Sequence, residues 1–428
     1  ESYIIINVNP SFVSMKQWYT VALFNLVVLA LLGLTLRYKI NFPLPIFHQE
    51  NLLHAHSHFA FNGWIGFLLQ VLILDEFTDN YKNAKRFWHR FFIASTLVNY
   101  AMIISFAWVG YAGVSIVLST IALWLSYVFA YKMYKTLSAV ENKKISTKFI
   151  KGSLFFLLLS SLGPYALAIL IATKTGDAYS SHNALYFFLH FQYNGWFTFG
   201  VLAFVLKQLE ANVAFNYKQA RIFFILLAAT CIPSYLFTSL WHQRPGSVTA
   251  IIVLTAILQT TALYFLLKLL QKNMKNVYTN LPVICRWLYS LAISAFILKV
   301  FLQFFSVHPQ LAQLAFGFRP IIVGYLHLIF LAFISMYLLG LMADKKIILL
   351  NYRVTSIGLV TFAAGIIINE ILLAIQGFAA IYYLFLPKLN LVLFANTFVL
   401  LAGAILLFIA ARKSLPNSID TIYKPLKI

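Results

Sequence analysis

The sequence predicts an all-α, polytopic membrane protein of about twelve transmembrane helices arranged in three pseudo-symmetric four-helix arcs. Three observations lead there. The chain is 61% hydrophobic and only 10% charged, with a mean hydropathy of +0.83, which excludes an ordinary soluble globule. Apolar runs of about 20 residues, each long enough to cross a hydrocarbon core of roughly 30 Å, recur from end to end. A histidine motif returns at every fourth run. The runs are continuous rather than alternating, so a transmembrane β-barrel is excluded as well. They make one integral membrane domain over 1–428, with an N-terminal tail at 1–16 and a C-terminal tail at 412–428.

Taken in order, the first run, 17–36, itself directs insertion into the bilayer. The second, 53–74, opens with His54, His56 and His58. The basic cluster Lys82, Lys85, Arg86 and Arg90 leads into the third, 90–109. The fourth, 112–131, is separated from the fifth, 152–172, by Lys143, Lys144, Lys148 and Lys151. His182 stands at the start of the sixth, 183–206, which contains His190, and His242 closes the seventh, 221–241. The eighth, 247–270, runs into Lys268, Lys272 and Lys275. Lys299 lies in the ninth, 287–306, His327 in the tenth, 320–342, and Glu370 in the eleventh, 354–376; the twelfth covers 391–411. Lys299 and Glu370 are intramembrane charges, read either as parts of a proton or propionate network or as side chains that snorkel to an interface.

The formal net charge of +21 does not indicate nucleic acid. Odd-to-even connections carry six basic residues, Arg37, Lys39, Lys174, Arg244, Arg319 and Lys388, while the opposite connections and the two tails carry about twenty-five. By the positive-inside rule the basic side, with both termini, is cytoplasmic. No loop is long enough to build a nucleic-acid surface, so the charge is a solvated cytoplasmic face. The natural setting is a lipid bilayer, taken to be a bacterial inner membrane. Cys231 and Cys285 are too few and too far apart for a disulfide scaffold or a thiolate site.

This topology gives seven of the ten histidines one address, the outer half of the bundle: His54, His56, His58, His182, His190, His242 and His327. Ionisable or metal-binding side chains inside hydrocarbon are functional candidates by default. An internal repeat reinforces them. His58-Phe59-Ala60-Phe61-Asn62-Gly63-Trp64 in the second run matches His190-Phe191-Gln192-Tyr193-Asn194-Gly195-Trp196 in the sixth, and His327-Leu328-Ile329-Phe330 is a weaker echo in the tenth. On a helix His54 and His58 share a face, as do His182 and Tyr186, and His56 points the other way. Haem iron takes axial imidazoles from two facing helices, while copper takes two or three histidines at a helix junction. Trp64 and Trp196 stand where they would contact a macrocycle, or where they would simply pack.

With these motifs the chain resembles subunit I of the haem-copper oxidase superfamily, which includes cytochrome oxidases and nitric oxide reductases. The resemblance implies the twelve spans, the cytoplasmic termini and the three arcs. It implies a low-spin haem held by His54 or His58 and by His327, while the repeat itself adds His190, Trp64 and Trp196 as further candidate cofactor contacts. His182-Asn183-Ala184-Leu185-Tyr186 is similar to the family's sixth-span motif, which makes His182 a copper ligand and Tyr186 a catalytic tyrosine. Trp241-His242-Gln243 stands where the family has a His-His copper pair, with one histidine replaced by glutamine. Tyr325-Leu326-His327 stands where it has His-x-His. The stretch His54-Ala55-His56-Ser57-His58 is also similar to the histidine motif of NnrS-type haem and copper membrane proteins.

The expected function is therefore a haem-binding membrane redox protein that transfers electrons and binds or reduces oxygen or nitric oxide. Its cofactors would be one or two haem b groups and a copper, its electron donor a cytochrome or a quinol, with additional membrane subunits as partners. Two alternatives stand beside it. One is a twelve-span secondary transporter with a histidine-lined path; the other is a degenerate scaffold that keeps a haem without turnover.

Overall fold

A backbone surrounded by lipid must satisfy its own N–H and C=O groups, and continuous apolar runs do so as helices. A computed structural model describes residues 15–78, 84–139, 144–240 and 245–414, and no strand occurs among them. The helices are α1 (Met15–Asn41), α2 (Gln49–Phe77), α3 (Lys85–Val109), α4 (Gly113–Ala139), α5 (Ile145–Thr173), α6 (178–210), α7 (Tyr217–Cys231), α8 (Gly246–Thr279), α9 (Val283–Phe305), the short α10 (Pro309–Gly317), α11 (Arg319–Asp344), α12 (Arg353–Ile381) and α13 (Leu389–Lys413).

Ten of the described helices are long and apolar enough to cross a membrane: α1 to α5, α8, α9, α11, α12 and α13. The other two expected spans are helical but differ. In α6 the apolar run is broken by His190, Gln192 and Asn194. In α7 the α-helix stops at Cys231 and continues as a 3₁₀ segment, Pro233–Ser239, because Pro233 supplies no backbone N–H. Trp241, His242, Lys82, Lys143 and Arg244 lie outside the described residues.

Each long helix packs against its neighbours in sequence, and α13 returns against α1 to close the ring. The α12–α13 seam is tight: a Cβ at Gly403 would stand 2.7 Å from the backbone N and Cα of Phe362. Such close approach is how helices associate in lipid, where burying apolar surface gains nothing. Gly403→Ala therefore forces the helices apart and is expected to cost about 1–3 kcal/mol, read as a lowered Tm in detergent. Gly113→Ala, with nothing within 4 Å of the new methyl, should leave Tm unchanged.

The three repeat histidines mark three matching irregularities. Immediately after His58, His190 and His327 the α-helix widens into a π-helical segment: Phe59–Gly66, Phe191–Phe197 and Leu328–Ser335. Eight residues past each histidine stand Gly66, Thr198 and Ser335. The hydroxyls of Thr198 and Ser335 donate five residues back, to the carbonyls of Tyr193 at 2.6 Å and Phe330 at 2.7 Å. At Gly66 a Cβ would sit 2.5 Å from the equivalent carbonyl, that of Phe61. Neighbours take up other carbonyls of the widened turns: Asn25 Nδ2 donates to Gly63 O at 2.7 Å, and Ser153 Oγ to Trp196 O at 2.6 Å.

These segments meet at the centre, where the rings of Phe61, Phe197 and Phe330 contact each other at centroid distances of 4.8 to 6.0 Å. Packing changes abruptly there. Beyond the π-helical turns every residue of Thr198–Leu206 and Met336–Ala343 is buried, and so is every residue of Leu68–Leu74 except Gln70, which is half-buried. On the histidine side, Gln49–His58 buries only Leu52 and Ala55, Ala178–His190 only Ala184 and His190, and Arg319–His327 nothing.

The packed half ends in a polar clamp. Glu76 of α2 accepts from Lys207 of α6 at 2.8 Å and lies 3.0 Å from Lys345, just past α11; Lys207 also donates to the Glu76 carbonyl. Beside it, Gln208 Nε2 donates to Asp344 Oδ2 at 3.0 Å, Tyr337 donates to Gln208 Oε1 at 3.1 Å, and Tyr19 donates to Asp75 Oδ2 at 2.8 Å.

Candidate functional site

The histidines do not converge as one cluster; α2 and α11 distribute them. His54 and His58 share the face of α2 that meets α3. His58 stacks on Phe106, centroids 4.3 Å apart and planes 12° from parallel, and its Nε2 lies 3.0 Å from the Tyr111 hydroxyl. His54 meets the edge of Tyr111 at 4.5 Å and pairs with Glu50 at 3.6 Å. Tyr111 is held there by the α3–α4 turn, where Gly110 adopts φ +63° against Asn51 of α2; a Cβ would stand 2.5 Å from Asn51 Oδ1. Positive φ at such close approach suits glycine alone.

His56, two residues along and about 200° round the helix, faces the opposite way. It lies within electrostatic reach of His327 on α11 and of Arg37 on α1. A Cβ at Gly33, one turn before Arg37, would touch the His56 ring at 3.4 Å, so the glycine lets α1 close on the imidazole. Of the three second-run histidines, His56 is the one within electrostatic reach of His327, while His54 and His58 lie on the face that meets α3.

The two rings suit iron ligation. His327 Nδ1 donates to the Val323 carbonyl at 2.8 Å, which fixes the tautomer and leaves the Nε2 lone pair for a metal. His56 Nδ1 is buried without a hydrogen-bond partner. Both rings remain half-buried although they lie between helices of the bundle. Arg37 supplies a cation beside them, as a group bearing carboxylates requires. Two imidazoles with an arginine nearby are a donor set of the chemical kind that a haem and its carboxylates would take.

A different space opens on the other side of α11. A cavity of about 530 Å³ is bounded by α6, the 3₁₀ segment, α9, α10, α11 and α12, and includes His182, Tyr186, His190, Tyr325 and Glu370 in its wall. His182 and Tyr186 contact each other there, ring centroids 4.6 Å apart. The ring of His190 is fully engaged, Nε2 with the Cys231 carbonyl at 2.9 Å and Nδ1 with Asn194 Nδ2 at 3.1 Å. In that arrangement neither nitrogen is available to a metal, and His190 joins the wall as a hydrogen-bonded core ring.

Trp64 and Trp196 are buried at the π-helical turns. Trp64 Nε1 donates to Ser335 Oγ at 3.0 Å, tying α2 to α11, and Trp196 packs edge-on against Phe129 of α4 at 6.3 Å. Among the described residues no three His, Cys, Asp or Glu side chains come together as a metal site, and the expected partner of His182, His242, lies outside them.

Sequence reasoning did not single out the nearness of His56 to His327 and Arg37, or the contact of Gly33 with the His56 ring. Their signal was a glycine and an arginine one turn apart at the end of α1, level with the second-run histidines. The chain matches no protein-family model and no curated protein.

Proposed function

We propose that this chain is a haem-binding integral membrane redox protein, with His56 and His327 as the axial pair of a b-type haem. The observation that carries the reading is the pair itself. Two imidazoles, on α2 and α11, lie within electrostatic reach of one another and of an arginine, one with its tautomer set by a backbone carbonyl and the other with a buried nitrogen lacking a partner. A haem there would supply one-electron transfer. The chain's own residues do the rest: Val323 orients His327, Gly33 admits α1 against His56, and Arg37 offsets carboxylate charge.

The matching π-helical turns after His58, His190 and His327 support three four-helix arcs, α1–α4, α5–α8 and α9–α13, with α10 a short connector. The distribution of Lys and Arg supports cytoplasmic termini in a bacterial inner membrane, and the relation to haem-copper oxidase subunit I rests on the motifs and this arrangement. Under this reading Tyr186 and His182 belong to the large cavity; copper there has no support among the described residues.

A reduced-minus-oxidised visible spectrum of the protein purified from its native membrane, with haem extraction and metal analysis on the same sample, tests the proposal. The expected result is a sharp low-spin b-type signal at one haem per chain. Protein with neither haem nor iron would end the redox reading and leave the transporter.

A further inference from the structure

The large cavity is separate from the His56–His327 pair, and its chemistry is different. We infer that it binds the head group of an isoprenoid quinone or quinol that enters from the lipid. Its volume, about 530 Å³, lies within the roughly 300–1,000 Å³ usual for small-molecule sites. Its wall is mostly aliphatic and aromatic and, among the described residues, contains no lysine or arginine.

The lack of a cation sets the ligand class. A haem brings two carboxylates and a phospholipid brings a phosphate, and either would sit near Glu370 without a counter-charge in low dielectric. The cavity suits a neutral ligand. Leu298, Leu302, Phe305, Leu311 and Phe378 are wall residues that are also exposed on the outer surface of the bundle, so the mouth is apolar and open to a lipid-soluble molecule.

Two polar requirements narrow the class. Among the wall residues, Tyr325 keeps a buried hydroxyl with no hydrogen-bond partner, and Gln303 keeps a buried Oε1 with none. One is a donor and the other an acceptor, and leaving each unmatched is unfavourable. The phenolic oxygen of a quinol accepts and donates at once. Glu370, half-buried on α12 with Asn369 Nδ2 3.3 Å from its Oε1, adds a carboxyl group to the same wall. Tyr325 is two residues from His327 on α11, which places such a ring across one helix from the proposed haem. The choice of a redox-active ring over another neutral lipid rests on the haem reading; the cavity and its polarity do not.

Binding of decylubiquinol, kept reduced under anaerobic conditions, to the full chain in detergent, followed by calorimetry alongside the haem spectrum and Tm, tests the inference. Saturable binding at one per chain is expected. Tyr325→Phe and Gln303→Leu should each weaken it several-fold, in the range of roughly 2–10-fold for one lost hydrogen bond. Ala374→Trp, which fills the space from α12, should abolish it, while all three variants keep the b-type spectrum. Absence of saturable binding overturns the inference, as does binding that survives Ala374→Trp. Two haems per chain, one of them lost in Ala374→Trp, overturns it in favour of a second haem. Quinol binding by protein that carries no haem upholds the cavity and removes only the haem reading.

Discussion

His56→Ala and His327→Ala should each abolish the low-spin b-type spectrum, while His58→Ala leaves it in place. The contrast is sharp because the three residues belong to one sequence pattern and differ in orientation. Losing an axial ligand exceeds the roughly 10–100-fold loss of affinity that follows from disturbing a ligand's hydrogen-bonding partner, so the purified variants should retain little haem, and what remains should be high-spin. Losing His58 removes a stack on Phe106 and a hydrogen bond to Tyr111, a change of about 1 kcal/mol in stability. Added imidazole gives a further readout. It should restore a low-spin signal in the two ligand variants if the haem is retained, and a merely structural histidine would show no such rescue. Retention of the wild-type spectrum in both His56→Ala and His327→Ala would reject the assignment.

The second large effect is expected at the opposite end. Glu76→Gln leaves Lys207 and Lys345 facing each other without the carboxylate that joins them at 2.8 and 3.0 Å. The Glu76 side chain is 17% exposed and the lysines 35% and 38%. The cost therefore falls between the roughly 0–1 kcal/mol of an exposed pair and the roughly 3–5 kcal/mol of breaking a buried one; about 2 kcal/mol is expected. It should appear as a lower Tm in detergent. The double variant Glu76→Gln with Lys345→Met should recover part of the loss, the signature of direct coupling. An unchanged Tm would show that the clamp contributes nothing. The haem spectrum should not respond, because the clamp and the histidines are separated by the fully packed half.

Much of this architecture is legible in the sequence. The apolar runs mark the helices because lipid leaves the backbone no other partner, and the two expected spans that fall short in length or polarity, α6 and α7, are those where His190, Gln192 and Asn194 or Pro233 interrupt the pattern. Helical periodicity also places His54 with His58 and turns His56 away from them. What periodicity does not contain is the rotation of α2 about its own axis, which decides which of the two faces meets α11; that depends on Gly33, Gly110 and the partners they admit. The clamp was hidden for another reason. Asp75-Glu76, Lys207-Gln208 and Asp344-Lys345 stand seventeen and eighteen residues past the three repeat histidines, in perfect register. Their charges are complementary rather than alike, so a search for similarity passes over them.

The abrupt change in packing at the π-helical turns makes the bundle electrically lopsided. On the axis, the rings of Phe61, Phe197 and Phe330 close together, and the buried segments beyond them are mostly apolar. The half-buried histidine side is the more polarisable of the two. A membrane potential, which acts at about 2.3 kcal/mol per elementary charge for every 100 mV, would fall mainly across the packed half. An electron or proton arriving at the histidine level therefore does little work against that voltage if it comes from the histidine side, and nearly the full work if it comes from the side of the clamp.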